Sequence, residues 1–135
     1  MTLFTSGDWI ADKEREITFG VYEFMCKKFP LLVGVEVEIN QVDLTNEFGT
    51  GFCQVDEDGE FLIHVHNDLS CEEYVTTLIH ELVHVKQTLQ GLKDHEMRES
   101  EAYFWERLLS REYMSTPISG TQPAEIPAGG TIIRR

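Results

Sequence analysis

Apolar positions along the chain fall into two periods, and each change of period marks a change of element. From Gly7 to Phe29, residues Trp9, Ile10, Ile17, Val21, Phe24 and Met25 recur at three- and four-residue steps, which predicts a helix that Pro30 ends. "VGVEVEIN" then alternates Val33, Val35, Val37 and Ile39 with Gly34, Glu36, Glu38 and Asn40, the pattern of a half-buried strand. "TGFCQVDEDGEFLIHVHN" reads as two further strands joined by Asp56-Glu57-Asp58-Gly59, because an Asp-Gly pair accepts the positive backbone angles of a tight hairpin.

The helical period returns in "NDLSCEEYVTTLIHELVHVKQTLQG", where Ser70 and Glu73 form a capping box at the start and Gly91 is a natural stop. A last helix is expected from about Asp94 to Tyr113, followed by "STPISGTQPAEIPAGGTIIRR", whose Pro, Gly, Ser and Thr predict an extended tail. The expected class is α+β: an N-terminal helix, a small, mostly antiparallel sheet of three to four strands, and two consecutive helices. With 135 residues in all, residues 1–114 are expected to form one domain and residues 115–135 the tail.

Charge narrows the partners. Asp and Glu outnumber Lys and Arg by 24 to 11, and a net charge of -13 repels phosphate backbones and anionic membranes, so neither nucleic acid nor a membrane is expected as a partner. Cys26, Cys53 and Cys71 are odd in number and far apart, which fits neither a disulfide framework nor a cysteine zinc knuckle and favours a reducing compartment. "MTLFTSGDWIADKERE" turns polar and acidic too early for a signal peptide, and no apolar run approaches the roughly 18 residues of a membrane span. The expectation is a monomeric cytoplasmic protein.

Chemistry concentrates in "HELVH". On a helix His80 and His84 fall on one face about 40° apart, so their ring nitrogens can converge on one ion, with Glu81 to the side of the pair. Val75, Leu78, Ile79, Leu82, Val83, Val85 and Leu89 cluster about 180° to 200° from His80. A histidine that merely filled the core would lie within that arc; these two lie opposite it, framed by Thr77, Gln87 and Thr88. Catalytic zinc takes three protein ligands and keeps a position open, so a third donor is required from His95, Glu99, Glu101 or Glu106. Gln90, six residues beyond His84, excludes the three-histidine pattern that accompanies a Met-turn.

"HELVHVKQ" followed by "ESEAYFWERLL" resembles the gluzincin zinc peptidases, above all small intracellular or phage-type members that pair His-Glu-x-x-His with Glu-x-x-Ala. The similarity spans Tyr74 to Arg111, and the first motif is the more specific. It implies a minimal zincin-like fold, zinc held by His80, His84 and Glu99 of Glu99-Ser100-Glu101-Ala102, and hydrolysis of a peptide or protein substrate with Glu81 as general base. Many relatives carry Asp or Asn where this chain has Tyr103, so another residue must orient a histidine ligand. Glu99 and Glu101 lie about 200° apart, and only one can face the ion. Glu101 sits at the centre of the apolar arc of Met97, Phe104, Trp105 and Leu108, whereas Glu99 flanks it with Ala102, which together with the family pattern favours Glu99.

Two alternatives accompany this reading. In a SprT-like arrangement His95 would be the third ligand, although "DHEMRES" lacks the glycine and aromatic residues that go with it. A non-catalytic zinc-binding module would need four protein ligands, often cysteines, which the three separated Cys do not supply. The resemblance further implies that "FLIHVHN" is the edge strand that pairs with an extended substrate, with Phe61, Ile63 and Val65 toward the core and His64 and His66 on the cleft rim. Tyr103, Phe104 and Trp105 are expected mainly to pack the helix. The donor to the oxyanion stays open among Tyr103, His95, Arg98 and Tyr113.

Overall fold

The computed structural model describes residues 2–7, 12–45 and 49–115, with side chains from Glu16 onward. Along them run β1 (Thr2–Gly7), α1 (Asp12–Lys28), a 3-10 turn (Pro30–Gly34), β2 (Glu36–Val42), β3 (Gly51–Val55), β4 (Phe61–His66), α2 (Cys71–Gln90) and α3 (His95–Ser115). The class is α+β, as the periodicities predict. The expected tail beyond Ser115, and Trp9 and Ile10 of the expected first helix, lie outside the described residues.

The sheet corrects the expected pairing. Its order is β1-β2-β4-β3, with β1 parallel to β2, β2 parallel to β4, and only β3 antiparallel to its neighbour, so the sheet is mixed and mainly parallel. After β2 the chain travels to the far edge, forms β3, and returns through the expected hairpin into the gap beside β2. Alternation along a strand reports which face is buried and carries no information about which strand lies next to it. β1 is likewise an addition: Gly7 ends a strand where a helix was expected to begin, and the helix starts at Asp12. β2 also starts later than its alternation suggests, because Pro30–Gly34 coils into the 3-10 turn that buries Leu32.

Burial follows the two periods. Val37 and Ile39 of β2 and Phe61, Ile63 and Val65 of β4 are buried together with Val21, Tyr22 and Met25 of α1 and Val75, Leu78, Ile79, Leu82 and Val83 of α2. Each such large side chain contributes about 1.5–3 kcal/mol on leaving water. Glu36 and Glu38, on the other face of β2, are exposed. The β3–β4 hairpin closes as expected, with Gly59 at φ 80° and the Asp56 carboxylate accepting from the Asp58 and Glu60 amides at 2.9 Å each.

The caps of α2 set the position of α3. Ser70 Oγ accepts from the Glu73 amide and the Glu73 carboxylate accepts from the Ser70 amide, both at 3.1 Å, completing the predicted box. At the other end Gly91 adopts φ 79°, and the Leu92 amide donates to the Gln87 carbonyl at 3.0 Å, which stops the helix and turns the chain. After three more residues the Asp94 carboxylate accepts from the Met97 amide at 3.0 Å and α3 starts back along α2.

The face that α3 turns toward α2 is not its apolar stripe. Met97 and Phe104 are 58% and 59% exposed and Leu108 is 45% exposed, whereas Ala102 and Leu109 are buried, so the expected arc centred on Glu101 is largely solvated. Leu89, assigned to the apolar arc of α2, is also exposed. Polar partners on α2 draw in Arg98, Glu99, Glu101 and Glu106, and small Ala102 allows the close approach. No helix among the described residues is long and apolar enough to cross a membrane.

Candidate metal centre and cleft

His80 and His84 project from consecutive turns of α2 into the seam with α3, and their Nε2 atoms lie 3.1 Å apart. Glu99, on the second turn of α3, faces both: Oε1 is 3.3 Å from His80 Nε2 and Oε2 is 3.0 Å from His84 Nε2. Among the described residues this trio is the group whose ligand atoms converge within 4.8 Å of one another.

The outer nitrogens are also occupied. Glu106 Oε1 lies 2.6 Å from His80 Nδ1, and Gln87 Oε1 lies 2.8 Å from His84 Nδ1. Each of these oxygens can accept a hydrogen bond from Nδ1–H, an arrangement that in a neutral ring leaves the Nε2 lone pair toward the other ring and Glu99. A divalent cation placed among these three groups would be held by one atom from each. Tetrahedral zinc with bonds of 2.0–2.1 Å spaces its ligands about 3.3 Å apart, and the separations found here suit it. The donor set therefore fits zinc, and burial holds the His84 imidazole below its usual pKa, in the neutral form that a metal needs.

Glu81, next to His80, is buried to 6% exposure and borders the same cleft. Burial pushes its carboxyl up to about 7, against the pull of His80 and with further push from Glu99 and Glu106. Cation binding at the trio would draw it back toward the carboxylate. A carboxyl titrating near neutrality beside a water-accessible cleft has the properties of a general base.

The cleft encloses about 610 Å³ between β3 and the helix pair and is lined on one side by Gly51 to Val55 and on the other by His80, Glu81, His84, His95, Arg98, Glu99, Tyr103 and Glu106. Gly51 brings β3 onto α2: a Cβ there would meet Thr77 Cγ2 at 2.8 Å and the His64 carbonyl at 2.9 Å, with Glu81 Cγ at 3.6 Å. β3 is the sheet edge, so the expected edge strand is corrected from β4, which lies between β2 and β3. His64 and His66 do not line the cleft. His64 stacks on Phe52 with centroids 4.4 Å apart, and His66 Nδ1 accepts from the Leu44 amide at 2.9 Å.

The remaining candidates separate clearly. Glu101 faces away from the trio and binds Gln87 and Lys86, at 2.8 and 3.1 Å. Glu106 meets the back of His80, and His95 lines the cleft without joining the converging group. Tyr103 packs edge-on against His80 with centroids 4.9 Å apart, in the cleft and not in the core, while Trp105 packs on Phe29. Tyr113 packs on Phe24, and among the possible oxyanion donors only Tyr103, His95 and Arg98 line the cleft.

Sequence reasoning left the orienting groups unassigned. Glu106 lies seven residues after Glu99, two helical turns on the same face, and Gln87 lies three after His84, one turn further along α2; those spacings were the available signals. No family model, curated protein or solved structure matches this chain.

Proposed function

We propose that this protein is a zinc-dependent peptidase of the minimal zincin type that hydrolyses peptide bonds in the cytoplasm. The observation that carries the reading is the convergence of His80 Nε2, His84 Nε2 and the Glu99 carboxylate beside a buried Glu81, in a cleft bordered by a sheet edge. Bound zinc supplies the Lewis acidity that polarises a carbonyl and lowers the pKa of water from about 15.7 to about 7.

The chain's own groups do the rest. His80, His84 and Glu99 hold the ion, with Glu106 and Gln87 behind the two rings. Glu81 takes a proton from the attacking water and delivers it to the departing amine as the C–N bond breaks. The outer edge of β3, which pairs with no other described strand, offers its backbone groups to an extended peptide, which then lies along the cleft as an added strand. Three free thiols suit a reducing compartment, and the charge of -13 disfavours a nucleic-acid substrate.

The test is Glu81→Gln in zinc-loaded protein against a broad peptide library. The expected result is stoichiometric zinc with cleavage slowed by at least about a hundredfold. Equal cleavage by parent and variant at equal zinc content sinks the assignment of Glu81, and no cleavage by the parent sinks the peptidase reading.

A further inference from the structure

Gln87 is completely buried, and every polar atom of its side chain is committed. Its Nε2 donates to the Arg98 carbonyl at 2.9 Å and to Glu101 Oε1 at 2.8 Å, and its Oε1 lies 2.8 Å from His84 Nδ1. A carbonyl and an ionised carboxylate only accept, so rotating the amide by half a turn would set its oxygen against two acceptors. The amide has one workable orientation, and in it Oε1 must accept. His84 then carries a proton on Nδ1, so that whenever the ring is neutral its lone pair lies on Nε2, toward the cleft.

Glu101 is held just as firmly. Its Oε2 accepts from Lys86 Nζ at 3.1 Å and from Trp105 Nε1 at 3.3 Å. Lys86 is itself buried, bonded to Gln90 Oε1 at 3.2 Å and placed 4.8 Å over the Phe29 ring. The Lys86 ammonium and the Trp105 indole N–H can only donate, so Glu101 meets them, and the Gln87 amide nitrogen, as an acceptor. The carboxylate that the sequence offers as a rival ligand is thus tied to the back of the site.

We infer that Gln87 is a positioning residue that fixes the tautomer and ring orientation of His84, and that Glu101, anchored by Lys86 and Trp105, fixes Gln87. The relay couples α3 to a ligand on α2 through a neutral amide, so His84 is oriented without a second charge behind it. This rests on the metal-site reading for its purpose, although the tautomer it specifies belongs to the metal-free chain. The two histidines differ accordingly, since Glu106 places a carboxylate behind His80.

The experiment uses the full chain labelled with nitrogen-15. In metal-free protein, at a pH where the His84 ring is neutral, long-range proton–nitrogen correlations should place its proton on Nδ1; a neutral ring protonated on Nε2 instead overturns the inference, whatever the variants do. Zinc affinity, measured by competition with a chelating dye, should fall about ten- to a hundredfold in Gln87→Ala, the range found when such outer groups are removed. Gln87→Glu keeps an acceptor for His84 but cannot donate to Glu101 or to the Arg98 carbonyl, so it should also weaken zinc, and adding Glu101→Gln should restore part of the affinity by returning a donor to the pair while the Arg98 carbonyl stays unmatched. Affinity within about twofold of the parent in Gln87→Ala, or no recovery in the double variant, defeats the relay. A parent that binds no zinc refutes the proposed function, while the tautomer measurement still decides this inference.

Discussion

Glu106 Oε1 approaches Nδ1 of His80 to 2.6 Å, two turns along α3 from Glu99, whose carboxylate faces Nε2 of the same ring at 3.3 Å. One face of one helix thus grips both nitrogens of a single imidazole. Seven residues make nearly two whole turns, about 10.5 Å of rise, so two glutamates at that spacing reach past opposite sides of a ring projecting from the neighbouring helix. The first expectation concerns the other glutamate. Glu99→Ala should leave the protein with far less than stoichiometric zinc after gel filtration, whereas Glu101→Ala should still fill with zinc at saturation. Metal analysis of the two variants checks this, and the reverse order would identify Glu101 as the donor.

Zinc should stabilise the fold. Three donor groups lie within 3.0 to 3.3 Å of one another in the native chain, and an ion bound only by the native chain adds its binding free energy to stability. At a free zinc concentration of about 100 times the dissociation constant the gain is about 2.7 kcal/mol. Chemical denaturation with zinc and with chelator should show that difference in the parent and little of it in His84→Ala.

Gly51 tests the approach of the edge strand. An added methyl would press on the His64 carbonyl at 2.9 Å, a backbone atom that cannot swing aside, and on Thr77 Cγ2 at 2.8 Å. Gly51→Ala should cost about 1–3 kcal/mol by overpacking. Under the peptidase reading, the displaced strand should raise KM more than it lowers kcat, which steady-state kinetics on an extended peptide would reveal.

The cysteines should differ sharply in reactivity. Burial first, and the nearby Glu81 carboxylate second, push the Cys53 thiol up to about 12 against the pull of Arg98, and burial raises Cys26 as well. A raised thiol pKa keeps the neutral, unreactive form until the solution nears that pH, so at pH 8 both should resist alkylation although Cys53 borders the cleft. Cys71 is exposed and should react. A short iodoacetamide pulse followed by peptide mass mapping reads all three, and fast labelling of Cys53 at pH 8 would contradict its assigned environment.

Much of the molecule was legible in local pattern. Alternation placed Val37, Ile39, Phe61, Ile63 and Val65 inside, and Ser70, Glu73 and Gly91 marked both ends of α2 to the residue. Asp56 to Gly59 gave the hairpin. These features depend on backbone angles and on neighbours a few residues away, so composition and spacing suffice to reveal them. β1 was hidden because a six-residue strand gains its hydrogen bonds from β2, about thirty residues further on.

On its own, then, the amino-acid order determined that two imidazoles share a helix face, that a carboxylate stands beside them, and that an acidic helix follows after a glycine stop. The folded chain decided the rest: that Glu99 turns toward the imidazoles while Glu101 turns toward Lys86, that Glu106 and Gln87 stand behind the rings, and that β3 and not β4 forms the open edge. Helical and strand periods are set by each chain segment's own geometry. Which face meets which partner is set by the competition of all segments for burial and for hydrogen bonds, and here that competition left the apolar stripe of α3 in water and turned its carboxylates inward.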